Sequence, residues 1–241
     1  EAGIRSGDMT MPEEINRIVT DSITDYFFTT STWAGENLLK YGAEPSSIHF
    51  VGNVMIDTLY QNLERISAPS FWNEYQLETG NYIILTLHRP SNVDEENSLI
   101  DLLEGIDKMV GDKKVIFPIH PRTKAILGEQ NLSLKNIITV EPQGYLNFMY
   151  LIKNSFAVIT DSGGISEETT VLNIPCFTLR TTTERPETIT IGTNNLIGTS
   201  INNLEKIFGE FLKNGPKKSG IPELWDGKAS ERIIDILLSK I

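Results

Sequence analysis

Short apolar runs alternate along the chain with longer segments in which apolar positions recur at helical spacing. Runs rich in β-branched and aromatic residues predict strands, and a period near 3.6 residues predicts helices. The predicted strands are 25–30, 48–53, 82–88, 114–120, 136–142, 156–160, 175–179 and 195–198. The predicted helices are 13–22, 32–41, 54–66, 96–110, 121–129, 144–153, 164–173, 201–213 and 228–240.

This alternation predicts a parallel sheet with helices on both faces, because strands separated by helices form right-handed βαβ units. The runs YIILT, VIFPI and AVIT are almost wholly apolar, as expected of strands buried on both faces. We therefore expect one doubly wound α/β domain over about 80–225.

Residues 1–60 resemble the end of another α/β unit whose earlier strands are absent, and 66–81 is a plausible connection. Because the chain opens on EAGIRSG without an initiator Met, we expect it to be the C-terminal part of a longer protein.

Composition narrows the class of partner. The chain has 241 residues, 39% of them hydrophobic and 22% charged, as in ordinary globular proteins. A net charge of −11 without a dense run of Lys or Arg argues against nucleic acid, although a local cluster can still bind a small anion. The single cysteine, Cys176, excludes an intrachain disulfide and fits a reducing compartment. No apolar run is long enough to span a membrane, and we expect no membrane partner.

Polar residues cluster where the predicted strands end, which is where open parallel sheets bind ligands. A lone histidine at such a place is as often a capping or core residue as a functional one, but two histidines at two strand ends favour function. In chain order these strand-end residues are His88 and Arg89, His120 and Arg122, Asp161, Ser162, Gly163 and Gly164, and Arg180, Glu184 and Arg185.

The junction TDSGGISEE joins a strand to a helix. Its Ser162-Gly163-Gly164 turn offers backbone N–H groups at a helix start, a suitable arrangement for phosphate. Ser162 is equally a candidate N-cap with a nearby glutamate completing a capping arrangement. The turn alone leaves both interpretations open.

Two further segments concentrate charge. In TTTERPET, Arg185 has the planar fork that can chelate a diphosphate, or it forms a structural ion pair within the loop. In EAGIRSG and PEEINR, Glu1 and Glu13 are candidates for a general acid and base. Pro12 followed by two glutamates is also an ordinary first turn of a helix.

Several familiar motifs are missing from the sequence. It has no C-x-x-C or H-x-x-x-H, so no metal site is predicted, and no G-x-G-x-x-G, P-loop or G-x-S-x-G. The sequence thus gives no reason to expect a nicotinamide cofactor.

Six segments in order carry a resemblance that covers essentially the whole chain: EAGIRSG, PEEINR, VGNVMID, TLHRPSN, DSGGISEE and TTTERPET. They resemble the non-hydrolysing UDP-N-acetylglucosamine 2-epimerases, which interconvert UDP-N-acetylglucosamine and UDP-N-acetylmannosamine. The pairing of DSGG-x-x-EE with TERPE is highly specific.

The resemblance implies a fold and an organisation. The fold is α/β, with two Rossmann-like doubly wound domains of the glycosyltransferase-B type and the nucleotide sugar between them. Residues 1–66 would be the C-terminal part of the first domain, 67–227 the nucleotide-binding domain and 228–241 a closing helix that returns to the first. Family members carry a first Rossmann half upstream of the EAG motif, with further site residues, that this sequence does not contain. The resemblance also implies no cofactor, a homodimer and a cytoplasmic location.

The family's chemistry explains these residue types. The sugar C2 proton is not acidic, but breaking the C1–O bond first puts positive character beside C2 and makes that proton removable. Elimination of UDP leaves a 2-acetamidoglucal, and re-addition of UDP with protonation from the opposite face inverts C2. The reaction therefore needs carboxylates near C2 and cations at the leaving diphosphate.

The resemblance also assigns roles. The site residues it implies are Glu1 and Glu13 as acid/base carboxylates, His88 beside the leaving diphosphate, Ser162, Gly163 and Gly164 as the phosphate-binding turn, Glu168 on the uridine ribose, Arg185 on the diphosphate, and Gln143 and Tyr145 at the uracil. Bacterial members bind a second UDP-N-acetylglucosamine as an activator, and Arg89 and His120 match positions that contact it. Here HRPSN departs from the commoner HRREN.

Competing functions remain open at this point. One is a hydrolysing 2-epimerase, or a 2-epimerase of a related UDP-diacetamido sugar. Another is a glycosyltransferase of the same architecture, although a transferase needs no base at C2. The third is a nucleotide-sugar-binding protein without catalysis, which the retained carboxylates and His88 disfavour.

Overall fold

A computed structural model describes residues 1–89, 96–119, 123–124, 127 and 134–240. The chain divides into two compact units. Unit 1 comprises Glu1–Glu64, Thr183–Ile191 and Ile221–Ile241, and unit 2 comprises Arg65–Thr182 and Gly192–Gly220.

These units differ from the boundaries expected from the sequence, 1–66, 67–227 and 228–241. The segments 183–191 and 221–227 belong to unit 1, although chain order suggested the nucleotide-binding domain. Side-chain contacts explain the difference. Arg185 pairs with Glu1 at 3.0 Å, and the indole Nε1 of Trp225 donates to the carbonyl of Thr30 at 2.9 Å.

Unit 2 is built on a parallel sheet, as expected from its apolar runs. Within the described residues the strand order is β5-β4-β3-β6-β7-β8. The strands are β3 (Tyr82–Thr86), β4 (Lys114–Pro118), β5 (Ile137–Val140), β6 (Ala157–Thr160), β7 (Cys176–Thr178) and β8 (Asn194–Leu196). The helices are α4 (Glu96–Met109), α5 (Tyr145–Asn154), α6 (Gly163–Val171) and α8 (Ile201–Asn214).

The strand order places the ligand edge of unit 2. The chain enters the sheet at β3, moves outward through β4 and β5, returns to β6 beside β3, and then moves outward the other way. The switch point therefore lies between β3 and β6, whose Ile83 to Thr86 pair with Ala157 to Thr160. In doubly wound sheets, ligands bind beyond the carboxyl ends of the two strands at this point.

The core of unit 2 fixes these strands in place. Side chains such as Ile83, Leu85, Phe117 and Ile159 are completely buried, and the Phe177 ring packs edge-on against Phe208 of α8. Burial on both faces explains why these strands are continuous apolar runs rather than alternating ones.

Unit 1 carries a two-stranded parallel sheet in which Phe27 pairs with Ile48. Asp57 of unit 1 fixes the C-terminal segment to the rest of the unit. Its carboxylate accepts the backbone N–H groups of Ala229 at 3.1 Å and Ser230 at 2.6 Å and so caps the last helix. The elements are α1 (Pro12–Ser22), β1 (Phe27–Thr29), α2 (Thr32–Lys40), β2 (Ile48–Phe50), α3 (Val54–Asn62), α7 (Pro186–Thr190) and α9 (Ala229–Leu238).

The predicted elements correspond closely to the observed ones, and every predicted strand overlaps an observed strand. The predicted helix over 121–129 falls largely outside the described residues. Two short helices were not predicted: the 3-10 turn Pro45–Ser47, and α7, which lies within the charged segment interpreted as a stiff turn.

Candidate active site

A cleft of about 290 Å³ lies at the switch point of unit 2. Three residues expected in the site line it together: His88 after β3, Gln143 before α5, and Ser162 after β6. Between the two central strands, the hydroxyls of Thr86 and Thr160 are hydrogen-bonded at 2.6 Å. The other lining residues are Thr86, Pro118, Pro142, Phe148 and Ile165.

His88 is held at the cleft by a completely buried carboxylate. Its Nδ1 lies 2.7 Å from Oδ1 of Asp161, and the same carboxylate accepts the backbone N–H groups of His88 and Arg89 at 3.0 and 2.9 Å. The hydrogen bond to Asp161 raises the pKa of His88 above its ordinary value, and its effect outweighs that of partial burial. The side chain of His88 is 54% exposed, so its ring is accessible to an anion.

The Ser162-Gly163-Gly164 turn opens α6. Ser162 occupies the N-cap position, but its side chain makes no capping hydrogen bond, so the expected capping arrangement is not formed. Its backbone N–H instead donates to the Thr160 hydroxyl at 3.0 Å. A Cβ added to Gly164 would meet no atom within 4 Å. The space over the helix start is therefore open, and the helix dipole there favours an anion.

In the same unit, the buried carboxylate of Glu168 pairs with the hydroxyl of Tyr145, a residue that is itself 37% exposed. Glu168 is 5% exposed and accepts a hydrogen bond from the Tyr145 hydroxyl. Burial raises the pKa of Glu168 to about 7, an effect that the Tyr145 hydrogen bond offsets in part and the neighbouring charge of Glu167 increases. Burial and the Glu168 charge raise the pKa of Tyr145 as well, so its hydroxyl remains a donor.

Two further residues predicted for the site, Gln143 and Arg89, lie in unit 2. Gln143 donates from Nε2 to the carbonyl of Glu141 at 2.7 Å, while its side chain lines the cleft. Arg89 is half-buried next to His88, with its backbone bound to Asp161. His120, proposed with Arg89 for an activator, lies outside the described residues.

Unit 1 contains a second cluster, centred on Glu1. The Glu1 carboxylate accepts Nε of Arg17 at 2.9 Å through one oxygen and Nη2 of Arg185 at 3.0 Å through the other. Partial burial raises the pKa of Glu1, but the hydrogen bond to Arg17 and the charge of Arg185 outweigh it and bring the value to about 2. Glu1 is therefore a carboxylate at any physiological pH, with a 54% exposed side chain.

The loop that carries Glu1 is fixed to α1 and α2 by buried polar contacts. Glu14 accepts the backbone N–H groups of Ser6 at 2.8 Å and Gly7 at 3.0 Å, and Asp21 accepts that of Gly3 at 3.1 Å. Gly3 has a φ of +70°, and a Cβ there would lie 2.1 Å from the carbonyl oxygen of Ala34. Only glycine fits this close approach.

Glu13, the second expected carboxylate, is exposed on the first turn of α1. It lines a cleft of about 610 Å³ in unit 1 together with Glu1, Asn16 and Arg17. The structure thus brings Glu1, Glu13 and Arg185 into one unit, although the expected boundaries had placed Arg185 in the nucleotide-binding domain 67–227.

Comparison with known proteins decides the family. A sequence model described as UDP-N-acetylglucosamine 2-epimerase matches residues 1–238. The chain belongs to this family. A UDP-N-acetylglucosamine 2-epimerase of Methanocaldococcus jannaschii is 43% identical over 248 residues, which cover 98% of this chain and 67% of that protein. A UDP-2,3-diacetamido-2,3-dideoxy-D-glucuronate 2-epimerase of Pseudomonas aeruginosa is 33% identical and is covered to 66% of its length.

A solved structure agrees with this 2-epimerase assignment. The crystal structure of the M. jannaschii enzyme in complex with UDP-GlcNAc and UDP superimposes with a TM-score of 0.85 at 43% identity, over 99% of this chain and 68% of that one. The chain thus spans about two thirds of the length of these 2-epimerases. The expected α/β class with a parallel sheet and the expected family are both confirmed.

Three side chains of this 2-epimerase contact the site without having been given a role from the sequence. Asp161 holds His88, Arg17 holds Glu1, and Phe148 lines the cleft beside Gln143. The sequence spacing could have indicated Phe148, because it follows Gln143 by five residues and so lies one turn into α5. The spacing of Arg17 was a weaker indication: it lies four residues after Glu13 on α1, so the two residues share a face of that helix.

The described residues of this 2-epimerase contain neither a cluster of metal ligands nor a membrane-spanning helix. In that part of the chain, no group of three or more His, Cys, Asp or Glu side chains is arranged to hold a metal ion. None of the helices described is long and apolar enough to cross a membrane.

Proposed function

We propose that this enzyme interconverts UDP-N-acetylglucosamine and UDP-N-acetylmannosamine by eliminating UDP and adding it back with inversion at C2. The observation that carries the proposal is Glu1, a carboxylate kept ionised by Arg17 and Arg185 in a chain that belongs to the 2-epimerase family. An ionised, partly exposed carboxylate is the group required to accept a proton from C2.

The step balances as follows. The C1–O bond breaks, and its electron pair leaves with the β-phosphate of UDP. The C2–H bond then supplies the electrons of the C1=C2 double bond, while the proton passes to a carboxylate. On re-addition, the second residue, present as the carboxylic acid, gives its proton to C2 from the opposite face. The electrons of the C1=C2 double bond form the new C2–H bond, UDP attacks C1, and the second residue is left as a carboxylate. Glu1 and Glu13 are the proposed pair, and they line one cleft in unit 1.

Unit 2 supplies the proposed UDP contacts. His88, whose cationic form is favoured by Asp161, and the open N-terminus of α6 at Gly164 stabilise the negative charge that develops on the departing diphosphate. Arg185, which lies in unit 1, is proposed as a further ligand of the diphosphate through its planar guanidinium. Glu168 accepts the ribose hydroxyls, and Gln143 binds the uracil, with the ring of Phe148 beside it.

Incubation with UDP-N-acetylglucosamine in deuterated water tests this function. We expect deuterium at C2 in intact UDP-sugars and a mixture of both epimers. Release of UDP with free N-acetylmannosamine would instead show a hydrolysing enzyme. Absence of exchange together with transfer of the sugar to an acceptor would show a glycosyltransferase, and binding alone would show a non-catalytic protein.

A second candidate substrate is a UDP-diacetamido sugar acid, which the similarity to the P. aeruginosa enzyme favours. A competition in deuterated water with both substrates at equal concentration distinguishes the two. We expect faster C2 exchange with UDP-N-acetylglucosamine, since identity to the M. jannaschii enzyme is higher. Preference for the diacetamido sugar would reverse the assignment.

We further propose that the enzyme acts in the cytoplasm as a homodimer, on the basis of the family resemblance and the single buried cysteine. Sedimentation equilibrium of the purified protein tests the dimer, and fractionation of the source cells tests the location. A mass of one chain at micromolar concentration would exclude the dimer.

A further inference from the structure

Arg17 is a largely buried arginine that was not among the expected site residues. Its side chain is 10% exposed and lies among three carboxylates of unit 1. Nε is 2.9 Å from Oε2 of Glu1, whereas Nη1 is 3.5 Å from Glu14 and 3.7 Å from Glu184. Only the contact with Glu1 has hydrogen-bond length, and Nη1 makes no hydrogen bond to the described residues.

The two longer contacts do not explain why Arg17 is buried. Glu14 already accepts the backbone N–H groups of Ser6 and Gly7 and the Ser6 hydroxyl, at 2.8, 3.0 and 3.1 Å. Its carboxylate is therefore well satisfied without Arg17. The short bond of Arg17 instead goes to Glu1, whose carboxylate it fixes through one of its two oxygens.

The other arginine on Glu1 has a competing role. Arg185 binds the second oxygen of Glu1 at 3.0 Å and is also the proposed diphosphate ligand. A guanidinium engaged by a diphosphate gives less of its charge and fewer of its donors to a carboxylate. Arg17 is then the cation that still neutralises Glu1 when the substrate is bound.

We propose that Arg17 is a positioning residue that keeps Glu1 ionised and correctly oriented to accept the C2 proton. This inference rests on the proposed 2-epimerase function. Arg17 acts only through Glu1. Among the described residues, Arg17 of α1 and Arg185 of the segment before α7 contact Glu1, and Glu13 lines the same cleft. Glu14 and Glu184 lie next to Arg17.

The charges give the direction of the effect. Burial raises the pKa of Glu1, and the bond to Arg17 is the largest influence that lowers it, to about 2. Without Arg17, Glu1 loses the hydrogen bond that lowers its pKa most and one of the two charges that lower it further, so the pKa of Glu1 rises. Because the proton acceptor must be ionised, the acid limb of the kcat profile then moves to higher pH.

The experiment compares Arg17→Gln and Arg17→Lys with a control, Arg5→Gln. Arg5 lies in the same loop, is 6% exposed and pairs with Asp21 at 2.6 Å, but does not contact Glu1. kcat and KM are measured from C2 exchange over a range of pH. Separately, the pKa of Glu1 is measured by carboxyl ¹³C NMR, with Glu1→Gln used to assign the signal, and thermal unfolding is recorded for every variant.

For Arg17→Gln we expect kcat to fall on the order of 10²-fold, since loss of orientation alone can have that effect, with KM changed by less than about threefold. The acid limb and the NMR pKa of Glu1 should rise by about one unit or more. Arg17→Lys, which keeps the charge but lacks the Nε donor, should keep the acid limb near that of the wild type and recover part of kcat. Arg5→Gln should lower the unfolding temperature but leave both pKa readings in place.

Three results would overturn the inference. The first is an unchanged acid limb and NMR pKa in folded Arg17→Gln. The second is the same loss of kcat in Arg5→Gln and Arg17→Gln at equal loss of stability. If Arg17→Gln does not fold, a normal kcat in Arg17→Lys is the third, because a lysine has a methylene group where Arg17 has the Nε that bonds Glu1. Absence of C2 exchange in the wild type would refute the proposed function itself, and the NMR pKa would still decide whether Arg17 controls the charge of Glu1.

Discussion

Glu168 should make the protein less stable at neutral pH than it need be. Its pKa lies at about 7 in the folded protein, against an ordinary value of 4.5. The folded state therefore holds the proton more tightly than the unfolded state, and stability falls as pH rises from about 4.5 to 7. A difference of this size corresponds to about 3 kcal/mol at pH 8, because one pKa unit is worth about 1.4 kcal/mol.

The substitution Glu168→Gln removes this cost. A glutamine is neutral at every pH, and its amide oxygen can still accept the Tyr145 hydroxyl. We expect the variant to gain stability relative to the wild type as pH rises, by roughly 2 to 3 kcal/mol between about pH 5 and pH 8. Other effects of the amide cancel in this comparison because they do not depend on pH.

Urea unfolding of both proteins at the two pH values measures the gain, and calorimetry with UDP measures the functional consequence. If Glu168 accepts the ribose hydroxyls, the variant should bind UDP about tenfold or more weakly at pH 8, since hydrogen bonds to a charged acceptor are worth roughly 1.5 to 3 kcal/mol. A stability difference that stays constant with pH would refute the raised pKa. Unchanged UDP affinity would refute the role in binding.

Three further substitutions test separate parts of the site. Gly164→Ala should raise the unfolding free energy by about 0.5 kcal/mol yet weaken UDP binding, because the added Cβ enters only the open space at the helix start. The control Gly209→Ala, at an equally open position on α8, should stabilise the protein without changing its UDP affinity. Equal UDP affinities in the two variants would exclude phosphate binding at Gly164. Asp161→Asn should lower the unfolding free energy by about 2 kcal/mol or more, most strongly between about pH 4 and 6.5. The raised pKa of His88 adds stability that is lost as pH rises through that pKa, and the lowered pKa of Asp161 adds stability that is lost in acid. In urea unfolding, the difference in stability between wild type and variant should be smaller at about pH 9 than at about pH 5.5, and a constant difference would contradict the ion pair. Arg185→Ala should weaken UDP binding in calorimetry by at least about 1.4 kcal/mol, a factor of ten, and unchanged affinity would remove Arg185 from the diphosphate site.

The sheet of unit 2 was predictable because its strands are buried on both faces. Tyr82–Thr86 and Ala157–Thr160 have almost no polar positions, so no helical period competes with the strand pattern. The strand-end rule then placed His88 and Ser162 in one cleft from chain order alone. This rule works because all the strands are parallel, so their carboxyl ends share one edge.

The pairings within the site could not be predicted from the residues themselves. Glu1 and Arg185 are 184 positions apart, and His88 and Asp161 are 73 apart. Local pattern fixes which face of an element a residue occupies, but not which distant residue meets it. The capping role considered for Ser162 shows the same limit, since Ser162 lies at the N-cap position but its hydroxyl makes no capping hydrogen bond.

The segment 183–191 has the most direct consequence for the chemistry. By chain order it follows β7 of unit 2, yet it packs in unit 1, where Arg185 and Glu184 meet Glu1 and Arg17. The proposed diphosphate ligand is therefore also a ligand of the proposed base. Any anion that engages Arg185 reduces the positive charge beside Glu1, raises the pKa of Glu1 and makes it a stronger base at the moment when the leaving group is bound. A carboxylate with a pKa of about 2 is a weak base for a carbon-bound proton, so this rise favours proton removal, while Arg17 holds the carboxylate in the orientation that the removal requires.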